Sequence, residues 1–277
     1  MTGQKWMAAL LMLFVFPSLL QAGAWTRPKG KTWFRAGYMF QTTEERYFFD
    51  GNRIPYFFEG QNQTMALFFD FEHGLTDRIE VDVQVPVFGI SFNDLADDRS
   101  STGLGDIRTG LRYNILKGPL VATLGAKIKF PTGKFINDAE IVPVGEGQYD
   151  FEIRGELARS FWPKPGYITG LIGYRIRTKN DEINIDYGDE LIWSIEAGYN
   201  VTQRIMLKGL VWGLYGFESG SFGLPIPSLR REILYVEPGV IYAIDASRGI
   251  ELTVPITVSG RNWPAGAVIN IGFYQNF

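Results

Sequence analysis

The feature that most limits the fold of this chain is a two-residue alternation of apolar and polar side chains. Between residues 79 and 87, isoleucine and valine side chains alternate with Glu80, Asp82 and Gln84. Successive side chains of a β-strand point to opposite faces, whereas a helical period of 3.6 residues would scatter both sets around the axis. The pattern therefore predicts strands with one apolar face and one charged face.

About twelve segments show this alternation, from residues 34–40 at one end to 269–273 at the other. Long connections such as 43–61 alternate with short ones such as 117–119. Short turns on one side, long loops on the other and an even strand number are typical of outer-membrane barrels. A closed ring also leaves no strand edge unpaired. We therefore predict an all-β fold: a single transmembrane antiparallel β-barrel of about 12 strands, of the outer-membrane type.

A soluble β-sandwich or secreted lectin would also show alternation, but three features favour the barrel. The polar face carries so many charges of both signs that neutralisation across a narrow lumen is the better interpretation. The chain also ends on an aromatic residue, Phe277, at the close of a strand. Finally, aromatic side chains near strand ends on the apolar face suit the interfacial girdles of a barrel: Trp33, Tyr113, Trp193, Tyr199, Tyr242 and Phe273.

Residues 1–24 have the pattern of an export signal, and residues 25–277 are predicted to form the barrel. Lys5 precedes an apolar run over residues 6–20, and Ala22, Gly23 and Ala24 supply the small-x-small pattern that a signal peptidase reads. Cleavage is expected after Ala24, with cleavage after Ala22 as the alternative. A retained anchor fits less well, because the apolar run falls short of the roughly 20 residues that span a bilayer.

Composition excludes several classes of function. Lys and Arg number 27 against 30 Asp and Glu, for a net charge of −3, so there is no basic excess for a nucleic-acid partner. There is no cysteine and only one histidine, which excludes disulfides, thiolate metal sites and His-rich metal sites. We expect no cofactor and no bound metal. Acidic side chains in two loops are candidates for holding divalent cations that bridge lipopolysaccharide, although a solvated surface is the simpler interpretation: Asp94, Asp97, Asp98, and Asp181, Glu182, Asp186, Asp189, Glu190.

The charged face of the strands is predicted to line the lumen. Basic and acidic side chains nearly cancel there, which predicts no strong selectivity for anions or cations. A ring of about twelve strands is intermediate between filled barrels and open porins, so long side chains and inward-folded loops are expected to occlude much of the bore. The predicted lining residues are Arg35, Asp70, Glu80, Asp82, Asp106, Arg108, Arg112, Lys127, Lys129, Glu152, Arg154, Glu156, Arg175, Arg177, Glu196 and Glu237.

The first outer loop is unusually aromatic. Clustered exposed aromatic side chains are costly unless they pack on something, so we hypothesise that this loop folds over the mouth and offers an apolar capture site. Alternatively, the same side chains extend the aromatic girdle or staple the loops together. They are Tyr47, Phe48, Phe49, Tyr56, Phe57 and Phe58.

An outer-membrane lipid hydrolase is a less favoured alternative. It would need a nucleophile with a base, most often serine with histidine. His73 is the only histidine, lies in a predicted periplasmic turn and has no serine near it in sequence. The pair Glu152 and Glu156 shares its face with Arg154, so ion pairing explains it better than acid–base chemistry. We therefore predict a protein without enzymatic activity.

Several segments resemble a known family, the outer-membrane proteins named after the meta-cleavage pathway of phenol degradation. They are GLTDRIEVDVQVPV, GLGDIRTGLRYNIL with the following LGAKIKFPTGKF, and VEPGVIYAID through ITVSGRNWPAG to the C-terminus. The resemblance extends from about residue 75 onward. It implies a roughly twelve-stranded barrel with a role in moving or sensing small hydrophobic compounds.

The chain is accordingly predicted to be a channel or transporter-like barrel of the bacterial outer membrane for small hydrophobic or aromatic compounds. The alternative is a plugged structural or adhesive barrel that transports nothing. Expected partners are outer-membrane lipids and lipopolysaccharide, the barrel-assembly machinery during insertion, and a small-molecule cargo.

Overall fold

The structure, a computed structural model, describes residues 23–135 and 142–277. Most of the predicted export signal, residues 1–22, lies outside the described residues. Two short 3-10 helices, η1 (Phe57–Glu59) and η2 (Pro227–Leu229), occur in loops, and no helix of the described chain is long and apolar enough to cross a membrane. The strands are β1 (Thr32–Thr43), β2 (Glu45–Tyr47), β3 (Arg53–Pro55), β4 (Gln61–Gly74), β5 (Ile79–Asn93), β6 (Asp98–Leu104), β7 (Ile107–Leu116), β8 (Leu120–Phe130), β9 (Asp150–Ser160), β10 (Gly166–Arg177), β11 (Ile185–Asp186), β12 (Glu190–Asn200), β13 (Ile205–Gly216), β14 (Gly220–Ser221), β15 (Leu224–Pro225), β16 (Glu232–Ala243), β17 (Arg248–Thr253), β18 (Ile256–Arg261), β19 (Trp263–Pro264), β20 (Gly266–Ala267) and β21 (Ile269–Asn276).

The long strands form one closed antiparallel barrel. Starting at β13, the pairing order is β12, β10, β9, β8, β7, β5, β4, β1, β21, β17 and β16, and β16 pairs back to β13. β17 and β18 occupy a single place in the wall, because both pair with β16 and are separated only by Val254 and Pro255. Proline lacks the N–H needed to continue the ladder, which explains the interruption. The wall thus has twelve strand positions, which confirms the predicted fold.

The two ends of the barrel differ, as the spacing of the sequence predicts. Five short turns, at 75–78, 117–119, 161–165, 201–204 and 244–247, lie at one end. Long loops lie at the other end and carry small additional sheets, formed by β19, β2 and β3 and by β11, β14 and β15. Following the usual orientation of outer-membrane barrels, we call these the periplasmic and outer ends.

The outward face of the wall is apolar and the inward face holds the charges. In β5 every second side chain from Glu80 to Phe92 is buried, while the valines between them face outward. Ile153 and Ile172 are 69% and 60% exposed, and dozens of large apolar side chains share their face. A continuous apolar belt of this size is unsuited to water but suited to the hydrocarbon of a bilayer.

Trp33 corrects one expectation from the sequence. It was assigned to the outward aromatic girdle, but it is 8% exposed and lies in the lumen under the guanidinium of Arg27, 5.5 Å from the ring centre. Trp33 is two residues from Arg35 and therefore shares its face of β1, so strand parity takes precedence over the preference of tryptophan for interfaces.

Candidate functional site: the barrel lumen

The lumen contains a continuous ladder of ion pairs on the wall formed by β7 to β12. At its periplasmic end Arg112 contacts Glu80 and Glu156 at 2.7 and 2.6 Å. Buried charges are tolerated only when they are paired, so such a ladder fixes the positions of its members. The further contacts are Arg154 with Glu156 and Glu152, Arg175 with Glu152 and Glu190, and Arg177 with Glu190 and Glu146.

A second, smaller group of ion pairs lies on the opposite wall. Arg35 contacts Asp70 at 3.0 Å and Glu251 at 3.7 Å, and Lys208 bridges Glu251 and Glu196. These pairs occupy the periplasmic half of β1, β13 and β17. The periplasmic half of the bore is therefore charged around most of its circumference.

The outer half of the lumen differs from the periplasmic half, because it contains a large cluster of buried apolar side chains beside the outer end of the ladder. Phe88, Ile90 and Phe92 continue the inward face of β5 beyond its charged residues. Across the bore, Trp212 and Tyr235 are stacked with ring centres 5.1 Å apart. The lumenal apolar cluster is completed by Met39, Tyr56, Ala66, Phe68, Val142, Val144, Ile192, Leu210, Leu214, Ile233, Trp263 and Val268.

The segment Gly23 to Lys31, which we call the N-terminal strap, crosses the periplasmic end of the lumen. Its backbone is held on both sides: Gly74 exchanges hydrogen bonds with Gly30 and Lys31, and the carbonyl oxygen of Ala24 accepts a 2.5 Å hydrogen bond from Thr123. Arg112 donates to the carbonyl oxygen of Gly23. The strap therefore narrows the bore at its periplasmic end.

Side chains of the strap add further contacts. The Arg27 backbone N–H donates to Glu80 at 2.6 Å, and its guanidinium donates to Glu72 at 2.9 Å. Trp25 meets Tyr167 edge-on, with ring centres 5.8 Å apart. Cleavage of the export signal after Ala24 would remove the two anchoring carbonyls of Gly23 and Ala24, whereas cleavage after Ala22 would retain them.

Replacing Gly74 with alanine is expected to displace the strap and raise the single-channel conductance severalfold. A Cβ atom at Gly74 would lie 2.1 Å from the carbonyl oxygen of Pro28 and 2.5 Å from that of Arg27, and neither backbone can remain in place. The measurement is conductance in a planar bilayer. Gly209→Ala is the matched control, since a Cβ there meets no atom within 4 Å. Equal conductance of both variants and the wild type would contradict this role of the strap.

The described arms of the third outer loop, residues 131–135 and 142–149, fold into the lumen and are held there by two carboxylates. Asp106 accepts hydrogen bonds from the backbone N–H groups of Gly133 and Glu146, at 3.0 and 2.8 Å, and so pinches the two arms of the loop together. The carboxylate of Glu146 contacts Lys129, Arg177 and Arg231. We call Glu146 and its three cations the latch.

The electrostatics of the latch favour a charged Glu146. Burial raises the pKa of Glu146, but Lys129, Arg177 and Arg231 outweigh this effect and hold its pKa well below the ordinary value of a glutamate. Glu146 therefore stays ionised over the whole physiological pH range.

A cavity of about 100 Å³ remains between the strap and the latch. Charged side chains of β7 to β10 line one side, and Leu171, Ile192, Leu210 and Trp212 line the other. Gly23 of the strap also borders it. The cavity is therefore amphipathic, with a charged wall and an apolar wall.

The structure places the sixteen residues predicted to line the lumen on inward-facing positions, and fourteen of them are buried. Arg108 and Lys127, the other two, border the cavity. Glu237 is buried near Lys208 and Thr253. Whether these side chains govern permeation remains a prediction.

The aromatic first outer loop is divided between two environments. Tyr47 and Tyr56 are buried, and the Tyr47 hydroxyl donates to the carbonyl oxygen of Thr257 at 3.3 Å. Phe49, Phe57 and Phe58 stay exposed at the outer surface. The tyrosines thus staple the loop to the barrel, while the phenylalanines leave an apolar patch at the mouth.

The acidic loop residues are engaged by the protein itself. Asp94 accepts hydrogen bonds from the backbone N–H groups of Ala96 and Asp97 and forms an ion pair with Arg99. Asp189 accepts from Tyr174 and from the backbone of Arg177. Within the described residues, no group of three or more His, Cys, Asp or Glu side chains is arranged to hold a metal ion.

Comparison with known proteins identifies the family. A family model described as "Putative MetA-pathway of phenol degradation" matches residues 58–273. The chain belongs to this family. The resemblance carried by the sequence motifs is thereby confirmed. No curated protein matches the chain in sequence.

Solved structures similar to this phenol-degradation family member are outer-membrane barrels. The COG4313 outer membrane channel from Pseudomonas putida F1 has a TM-score of 0.76 at 16% sequence identity, covering 95% of this chain and 100% of that one. The translocator domain of the autotransporter NalP from Neisseria meningitidis has a TM-score of 0.50 at 8% identity, covering 91% and 90%. The fold and the apolar belt place this family member in a bacterial outer membrane, as predicted.

Three functional features of the family member were missed from the sequence. The strap has no periodicity, and Glu146 and Arg231 lie in loops, where distance along the chain gives no sign of their meeting. The lumenal apolar cluster uses the same residue types as the lipid-facing belt. Extending the alternation of β5 past Val87 would have put Phe88, Ile90 and Phe92 inside.

Proposed function

We propose that the barrel is an outer-membrane channel that passes small hydrophobic or aromatic compounds through its lumen. The observation that carries this proposal is the lumenal apolar cluster, because a pore built only for hydrated solutes has no use for buried phenylalanine, leucine and tryptophan side chains. The family description, which names phenol degradation, and the similar fold of an outer-membrane channel support the same conclusion.

Replacing Leu214 with aspartate is expected to lower the uptake of labelled phenol severalfold while leaving ion conductance in planar bilayers near the wild-type value. The new carboxylate would lie in the apolar cluster and make that stretch costly for an apolar solute. Uptake is measured in cells that produce the protein, against cells that lack it. Leu224→Asp, at an exposed loop leucine, is the matched control. If neither variant changes uptake, or if the wild-type protein adds none, the channel proposal fails.

A plugged structural or adhesive barrel is the second candidate. The strap and the latch both occupy the bore, and their position there favours a plugged barrel. Single-channel recording separates the two, since a permanently plugged barrel gives no current steps.

We propose that the barrel is not an enzyme. The Nδ1 atom of His73 lies 2.8 Å from the Thr32 hydroxyl. This distance is within the range at which a catalytic base is hydrogen-bonded to its nucleophile. Among the described residues, however, no carboxylate contacts the His73 ring to orient it. Phospholipid hydrolysis that is lost in His73→Ala would overturn this proposal.

The remaining partners are proposed from the same features. The apolar belt contacts outer-membrane lipids, and the outer loops lie at the depth of lipopolysaccharide. Insertion of a closed barrel calls for the barrel-assembly machinery. Phe49, Phe57 and Phe58 are proposed to make the first contact with an apolar cargo at the mouth, which deepens the capture hypothesis for the loop. Cleavage of the export signal would leave a mature chain that begins near residue 25.

A further inference from the structure

Arg108 differs from the other cationic side chains that border the cavity. In the described residues its guanidinium has no hydrogen bond and no carboxylate within 4 Å. It does border the cavity, so its donors face that space. Every other cation of the lining has a carboxylate partner: Lys127 with Asp82 at 2.8 Å, Lys129 with Asp150 at 3.0 Å, Arg154 with Glu156 at 2.9 Å, and Arg175 with Glu152 at 2.9 Å.

Arg108 is thus the one cationic side chain of the lining that no carboxylate of the described residues contacts. Five cationic side chains border the cavity, and the other four are held in ion pairs. A ligand with one negative charge would supply the missing partner of Arg108. Arginine presents a rigid fork of N–H donors that matches a carboxylate in a bidentate arrangement.

The opposite wall suits an aromatic ring. Leu171, Ile192, Leu210 and Trp212 border the same cavity, and the stacked Tyr235 holds the indole of Trp212 in place. Offset or edge-on contact with an indole adds to the burial of a ring. An apolar cavity of about 150 Å³ holds benzene. The present cavity of about 100 Å³ therefore limits a ligand to a single ring, with small side-chain adjustments.

We propose that this cavity is a binding site for a single-ring aromatic carboxylate, whose carboxylate binds Arg108 and whose ring packs against Leu210, Ile192 and Trp212. The proposal rests on the channel function and names the class of solute that pauses within it. A neutral ring would gain only the apolar contacts, and a small carboxylate without a ring would gain only the contact with Arg108.

The test is calorimetric titration of the purified full-length protein in detergent with benzoate, benzyl alcohol and acetate. Benzoate is expected to bind the wild type at least tenfold more tightly than either of the other two probes, because benzyl alcohol lacks the hydrogen-bonded charge pair and acetate lacks the buried ring, and each is worth roughly that factor. Arg108→Met should lose this preference and Arg108→Lys should keep part of it. Arg204→Met, at an exposed turn arginine, is the matched control and should behave as the wild type.

Leu210→Asn tests the apolar wall separately, and it should weaken benzoate binding without changing that of acetate. Circular dichroism verifies that each variant retains its β-structure. Equal benzoate affinity of Arg108→Met and the wild type, or no benzoate binding by the wild type, would overturn the proposal. Phenol uptake unchanged in Arg108→Met would leave the channel function intact, so the two failures are distinguishable.

Discussion

Replacing Arg112 with methionine is expected to destabilise the barrel by about 3–5 kcal/mol, because it leaves the buried carboxylate of Glu80 without its cation and removes one of the two cations that contact Glu156. Arg112 is 1% exposed, and its carboxylate partners are almost equally buried. The substitution also releases Glu80, which accepts a hydrogen bond from the backbone N–H of Arg27, and so loosens the strap. The measurement is the urea midpoint of unfolding of the refolded protein.

Two further variants show whether unpaired charge is the cause. Arg248→Met breaks an exposed ion pair with Asp245 in a periplasmic turn and should leave the midpoint unchanged. The double variant Arg112→Met, Glu80→Gln removes the unpaired charge of Glu80, while Glu156 keeps its contact with Arg154, and it should recover part of the lost stability. A double variant less stable than Arg112→Met would show that packing, not charge, dominates.

Replacing Glu146 with alanine is expected to open the outer end of the bore and raise single-channel conductance severalfold. The substitution removes the acceptor shared by Lys129, Arg177 and Arg231, while the backbone contacts of the described loop residues with Asp106 and Asn180 remain. Glu146→Gln retains oxygen acceptors and should have a smaller effect. Conductance equal to the wild type in Glu146→Ala would show that the latch does not control the opening.

The same latch sets the expected pH response of the wild-type protein. The pKa of Glu146 in the folded protein lies below its value in an unfolded chain, about 4.3. Its stabilising contribution is therefore complete above that value and is lost only as the pH falls through the lower folded pKa. Wild-type conductance should consequently stay constant from pH 7 down to the ordinary pKa of a glutamate and rise only below it.

Much of the barrel could be predicted from the sequence because its wall obeys a simple geometric rule. Glu80 and Asp82 alternate with valines, and a strand can satisfy both sets only by facing lipid on one side and an enclosed lumen on the other. The closed ring then follows from the need to pair every strand edge in a membrane. The alternation of short and long connections then distinguishes the periplasmic end of the barrel from the outer end.

The contents of the bore were less predictable, for physical reasons. Alternation reports which side chains share a face, but an apolar residue such as Phe88 suits either lipid or a packed lumen. The positions of the strap and of Glu146 depend on tertiary contacts with Arg112, Asp106 and Arg231, which no local pattern encodes. Trp33 shows the same limit. Tryptophan prefers the membrane interface, but the two-residue alternation of β1 places this side chain in the lumen.

The ladder of ion pairs has a consequence for how solutes move. It runs without a break from Glu80, which accepts a hydrogen bond from Arg27 of the strap, to Glu146, which holds the outer loop. Charges of alternating sign in such a row re-pair together, because a single carboxylate cannot leave its neighbours without stranding a cation. We therefore expect the strap and the latch to be thermodynamically linked. The Arg112 and Glu146 substitutions combined should change the single-channel conductance by a factor that departs from the product of their separate effects. A solute in transit would cross one shared barrier and not two independent ones.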